Sequence, residues 1–150
     1  MAENRKLLIE TLRSTPEILR DTLQMRPGIE KAISALRERG LTKVLLVGCG
    51  SSFNIASVAE YVFTELANYP ASAVSAFDLV NYRRRELDKN TLVIALSHSG
   101  ATKIVVDAAR LARKGQAHVL AVTHTHGSAI TSSADDVRDL QRELGGGVNG

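Results

Sequence analysis

Seven residues, Leu96-Ser97-His98-Ser99-Gly100-Ala101-Thr102, gather three hydroxyls, an imidazole and a glycine where an apolar run gives way to a helical pattern. Thr91 to Leu96 reads as a buried strand and Ile104 to Lys114 as a helix, so the hydroxyls fall at a helix start. The first amides of a helix have no intrahelical acceptor, and the dipole makes that end attractive to anions. Ser and Thr hydroxyls complete a donor set suited to a phosphate. A second loop of the same kind, Gly48-Cys49-Gly50-Ser51-Ser52, follows the apolar run Lys43 to Gly48. Taken singly, Ser51 and Ser97 could serve only as helix caps.

Other chemistries fit less well. Gly48-x-Gly50 begins a dinucleotide fingerprint, but Phe53 stands where the third glycine belongs, and Asp78 is the sole acid near the end of strand two. No Gly-Lys-Ser/Thr follows strand one, which excludes a P-loop. Cys49 sits at a helix start, where a thiol pKa falls, yet no partnered base is evident. It reads as a small buried residue lining the turn. His124-x-His126 lacks the carboxylate or thiol partners of a metal site. His118 opens a strand and reads as structural. No metal and no cofactor is expected.

The elements that position these loops follow from periodicity. Leu7, Leu8 and Leu12 share a helical face, Thr15-Pro16-Glu17 signals a restart, and Pro27-Gly28 a break. A third helix carries Ile29, Ala32, Ile33 and Leu36 and stops at Gly40. Beyond it lie a strand at 43–48, a helix from Ser52 to Asn68 burying Ile55, Ala59, Val62, Phe63 and Leu66, and a strand at 71–76. A short helix at 78–85, the strand at 91–96, the helix ending at Gly115 and a strand at 117–123 follow. A short helix at 128–133 and a polar edge strand at 137–140 complete the pattern. Strands apolar throughout belong to parallel sheets covered on both faces. The expected fold is α/β: a three-layer, doubly wound, five-stranded parallel sheet of flavodoxin-like order 2-1-3-4-5. A helical extension occupies residues 1–40, the domain 41–142, and a glycine-rich tail 143–150. That order makes the two hydroxyl loops neighbours at the switch point, where such sheets bind ligands.

Composition narrows the partners. The chain has 150 residues, 44% hydrophobic and 23% charged, consistent with one globular domain. Aromatics make up 4% with no Trp, which argues against stacking on nucleic-acid bases. Net charge is +3, and the densest basic cluster, Arg83-Arg84-Arg85, is followed at once by Glu86 and Asp88, as in a surface turn. Neither nucleic acid nor membrane is expected as a partner. A single cysteine excludes an internal disulfide, and the first residues lack a signal-peptide apolar region, so the cytoplasm is the expected compartment.

Leu46 to Ser52 together with Leu96 to Thr102 resembles the sugar isomerase (SIS) phosphosugar-binding domain. The chain is most similar to the first of the two tandem SIS domains of fructosamine-phosphate deglycases and of the isomerase half of glucosamine-6-phosphate synthase. The resemblance implies that Ser97, Ser99 and Thr102 hold the phosphate with help from His98. It implies that Ser51 and Ser52 face the sugar or its phosphate and that Cys49 and Gly50 form the turn beside it. It also implies a small phosphorylated sugar or sugar-amine adduct as ligand, and a homodimer or homo-oligomer. The family's usual Ser-Gln-Ser-Gly-Glu-Thr appears here with His98 and Ala101. Its tandem members draw a Glu, a His and sometimes a Lys from the second domain, so no catalytic residue is assigned within this chain. Three readings follow: an isomerase or deglycase module with little turnover of its own, a phosphosugar-sensing regulatory module, or a one-domain isomerase active as a homo-oligomer. The roughly 40 residues before strand one lack a convincing basic recognition helix, which ranks the sensor lower.

Overall fold

The computed structural model describes Arg5, Lys6, Ile9, Glu10, residues 12–17, Arg20 and residues 38–140. The expected helix over Ile29 to Leu36 and the glycine-rich tail lie outside the described residues. Residues 12–17 are helical without a break, so Pro16 does not open a new helix at this point. A proline inside a helix gives up its backward hydrogen bond and crowds the carbonyl four residues earlier, a local cost that the helix here absorbs.

Five parallel strands form one sheet in the order β2-β1-β3-β4-β5, with β1 Lys43–Gly48, β2 Ala71–Ser75, β3 Thr91–Ser97, β4 His118–Thr123 and β5 Asp136–Asp139. The expected strand order is therefore the observed one. β1 and β3 are buried almost end to end, as strands covered on both faces must be. Helix α1 (Ser51–Tyr61) packs Ala56, Ala59 and Phe63 of its continuation against Val44, Leu46, Leu92 and Ile94 on one face. Helices α2 (Ala76–Asn81) and α3 (Lys103–Lys114) cover the other, where Val105, Ala108, Ala109 and Ala112 meet Leu45, Val47, Val93 and Ala95. The run of alanines on α3 lets the helix lie close to the sheet.

Several expectations are corrected. The long helix from Ser52 is α-helical only to Tyr61, then passes into a π-turn over Val62–Leu66, where the Ala67 amide reaches back to the Val62 carbonyl. Ala59 and Phe63 pack inward while Ile55, Val62 and Leu66 are 62%, 49% and 81% exposed; Ile55 already points away from the sheet within the regular helix, and the extra residue of the π-turn shifts the phase of the positions after it. The segment 78–85 is split into α2 and a 3-10 turn at Arg84–Glu86, with Arg83 paired to Glu86 at 2.5 Å. Only Thr131–Ser133 of the stretch 128–133 is helical, as a 3-10 turn. Glu60 stands away from the loops: its carboxylate accepts the Ala73 amide at 2.8 Å and so satisfies the open edge of β2.

Candidate functional site

β1 and β3 are hydrogen-bonded neighbours, with Val47 in register with Ala95. The loops that leave their carboxyl ends therefore start about 5 Å apart. From there the chain diverges: Gly48 to Ser52 leads to α1 on one face, Ser97 to Thr102 to α3 on the other. All eight candidate residues, Cys49, Gly50, Ser51, Ser52, Ser97, His98, Ser99 and Thr102, lie on or beside these two loops at the switch point of the sheet.

Neither helix start is closed by a side chain. Gly50 is the N-cap of α1 and Thr102 that of α3, and no side-chain hydrogen bond caps either. Ser51 and Ser97 are thus not caps, and the first amides of both helices remain available to an anion. Gly50 takes φ 57°, ψ −128°, a turn conformation open to glycine. Cys49 is exposed, contrary to its reading as a buried lining residue; it stands in the loop just past the carboxyl end of β1, beyond the buried strand. Within the second loop Ser97 Oγ lies 3.3 Å from Thr102 Oγ1, and Ser99 Oγ accepts the Ala101 amide at 3.3 Å. Ser97 is 3% exposed, whereas His98 and Ser99 are exposed.

A second layer braces this loop, and the sequence reading missed it. The Thr123 and Thr125 hydroxyls donate to the His98 carbonyl at 3.2 and 3.4 Å, and the His124 amide does so at 3.1 Å. The Ile130 amide donates to the Gly100 carbonyl at 2.9 Å. Gly100 has φ 62°, and a Cβ there would stand 1.9 Å from Ser128 Oγ and 2.9 Å from Thr123 Oγ1. Ser128 Oγ is itself buried without a hydrogen-bond partner. The Thr/His/Ser composition of 123–128, at the carboxyl end of a strand adjoining β3, was the available signal.

The imidazoles divide their roles. His98 and His124 stack, with centroids 5.0 Å apart and planes 4° from parallel. His126 pairs instead with Asp139, Nδ1 to Oδ2 at 2.7 Å. The His124-x-His126 pair thus does not converge, and no group of three or more His, Cys, Asp or Glu among the described residues is placed to hold a metal. Lys103, at the first turn of α3, is tied to Asp107 at 2.6 Å.

A doubly wound α/β domain with two hydroxyl-bearing helix starts, uncapped by side chains, at its switch point belongs to the flavodoxin-like class, whose members bind ligands at that point. The SIS-domain family profile matches residues 37–143, and the chain belongs to the SIS-domain family. It is 31% identical over 137 residues to the isomerizing glutamine–fructose-6-phosphate aminotransferase of Clostridium tetani, covering 87% of this chain and 22% of that protein. It is 37% identical over 139 residues to the same-named protein of Symbiobacterium thermophilum, covering 85% and 22%. The chain thus spans about a fifth of the length of these relatives. In fold it matches the tagatose-6-phosphate ketose/aldose isomerase of Escherichia coli, with a TM-score of 0.70 at 22% identity over 87% of this chain and 39% of that one. It also matches the C-terminal domain of the Francisella tularensis glucosamine-fructose-6-phosphate aminotransferase, with a TM-score of 0.66 at 21% identity over 79% and 32%. No helix among the described residues is long and apolar enough to cross a membrane.

Proposed function

We propose that this chain is the phosphosugar-binding module of an aldose–ketose isomerase or fructosamine-phosphate deglycase type protein, acting in carbohydrate derivative metabolism in the cytoplasm. The observation that carries the reading is the pair of helix starts uncapped by side chains, each with its own hydroxyls, that follow the adjacent strands β1 and β3. In this reading Ser97, Ser99, Thr102 and the His98 backbone take the phosphate. Ser51 and Ser52 face the sugar, and Cys49 and Gly50 shape the turn. The domain occupies 41–142, after the helical extension at 1–40 and before the tail at 143–150.

Moving a proton between sugar C1 and C2 needs a base placed over the carbon. Glu60 is committed to Ala73 and His126 to Asp139, which leaves the mutually stacked His98 and His124 as recruits for that base. We therefore propose that this chain binds the sugar phosphate and turns it over slowly by itself. Titration of the purified chain with fructose 6-phosphate tests the reading: saturable binding is expected, weakened about 5- to 150-fold by Ser99→Ala, which corresponds to about 1–3 kcal/mol for a hydrogen bond to a charged group. Unchanged affinity in the variant counts against it. A homo-oligomer, the state in which a neighbour could complete the site, is favoured by the apolar stripe of Ile55, Val58, Tyr61 and Leu66 exposed along α1 and its π-turn.

A further inference from the structure

At the opposite edge of the sheet, where the strands begin, a cavity of about 380 Å³ opens between the segments entering β1, β3, β4 and β5. Arg39, Lys89, Arg113, Gln116, His118 and Asp135 line it. The length of β3 sets it about 20 Å from the loops at the carboxyl ends of the strands. Its lining holds three permanent cations against one carboxylate, and the hydrogen bonding leaves most of the cationic donors unspent.

Asp135 is fully engaged: Oδ1 accepts Arg113 Nε at 3.0 Å and Oδ2 accepts the Val119 amide at 2.9 Å. Arg113 therefore keeps its two terminal amino groups. Arg39 spends one Nη1–H on His118 Nδ1 at 3.0 Å. A guanidinium can only donate, so Nδ1 accepts and the ring proton sits on Nε2, which donates to Asp136 at 2.7 Å. This chain of bonds fixes Arg39 at the cavity wall without neutralising it. Lys89 has no ion-pair partner among the described residues. Gln116 follows the α3 cap Gly115 with φ 66°, a left-handed position where glycine is the unstrained choice. A carboxamide is thus held at the cavity wall at the expense of backbone strain, commonly a mark of a functional position.

We infer that this cavity is a second anion site, separate from the switch-point loops, and that it takes a dianionic phosphate group such as that of a phosphate monoester. Two net positive charges match the dianion, and the planar Arg39 and Arg113 forks suit phosphate oxygens. The Gln116 amide and the Lys89 ammonium supply the remaining donors.

Amide NMR of the full chain titrated with inorganic phosphate tests this. The expected result is saturable shifts at Lys89 and Gln116–His118, with a dissociation constant untouched by Ser99→Ala. Lys89→Glu, an exposed and unpaired position, should raise that constant about fivefold or more while leaving shifts at Ser97–Thr102 intact. Absence of shifts at the strand-start edge overturns the inference, as does a constant that Lys89→Glu leaves unchanged. Loss of shifts at Ser97–Thr102 alone would overturn the switch-point reading and leave this one standing.

Discussion

Gly100→Ala probes the loop geometry most directly. The added Cβ meets Ser128 Oγ at 1.9 Å, Ser128 Cβ at 2.5 Å and Thr123 Oγ1 at 2.9 Å, all below any tolerated approach. At φ 62° an alanine also carries left-handed strain of about 1–2 kcal/mol. Overpacking adds about 1–3 kcal/mol, because Ser128 and Thr123 are fixed by the turn at 128–133 and by β4. Together these give about 2–5 kcal/mol, a large share of a typical domain's stability. At about 3 °C per kcal/mol, the melting temperature should fall by on the order of 6–15 °C. Thermal unfolding followed by circular dichroism reads the shift. Gly50→Ala is the comparison: its Cβ meets nothing within 4 Å, so only backbone strain of about 1–3 kcal/mol applies. Adding Ser128→Gly to Gly100→Ala removes two of the three clashing atoms and the orphaned hydroxyl, and should restore part of the loss. Gly100→Ala melting within about 2 °C of the parent, or strictly additive behaviour in the double variant, would refute the argument.

Three other outcomes are expected. Val58→Glu places a charge in the exposed α1 stripe, where Val58 is 67% and Tyr61 71% exposed, and should convert an oligomer to monomer in sedimentation with little change in melting temperature; unaltered mass would remove the stripe from the interface. The Thr91 hydroxyl, with the Asn90 amide and Lys43, holds the Asp88 carboxyl below its usual 3.8. Because the folded value is the lower one, this contribution is present above pH 3.8 and is lost as pH falls through the folded value. Asp88→Asn should therefore melt below the parent near neutrality, and the gap should close on acidification; a gap that persists in strong acid would contradict the assignment. Thr123→Val removes one of the donors to the His98 carbonyl and should weaken phosphosugar binding several-fold, while equal affinity would show the brace to be dispensable.

Much of the fold was legible because a few physical signals are strong. Val44 to Val47 and Leu92 to Ile94 are apolar on consecutive residues, as suits a short strand covered on both faces, and their alternation with α1 and α3 favours parallel order. The buried side of α1 was read in part: Ala59 and Phe63 pack against the sheet as expected, whereas Ile55, Val62 and Leu66 do not. Hydrophobicity alone ranks those three as core. The sheet also takes Ala56, whose small size allows close approach, and the π-turn shifts the phase that periodicity assumes to be constant for the residues after it.

The site shows the same division. Hydroxyls at a helix start are local, so Ser51, Ser52, Ser97, Ser99 and Thr102 stand out in the sequence, and the strand order puts their two loops after adjacent strands. What holds the loop in shape is not local. Gly100 answers to Ser128 and Thr123, and the His98 carbonyl to three donors some 25 residues onward. These contacts exist only because β4 pairs with β3 and delivers its carboxyl end beneath the loop. In the phosphate-binding role proposed for it, the loop without such a brace would have to order itself on binding, at about 1–2 kcal/mol per backbone residue fixed. The segment 123–130 removes that cost beforehand. Substitutions there should therefore lower affinity without touching any ligand atom, which is the behaviour that separates a preorganised site from a flexible loop that closes on its anion.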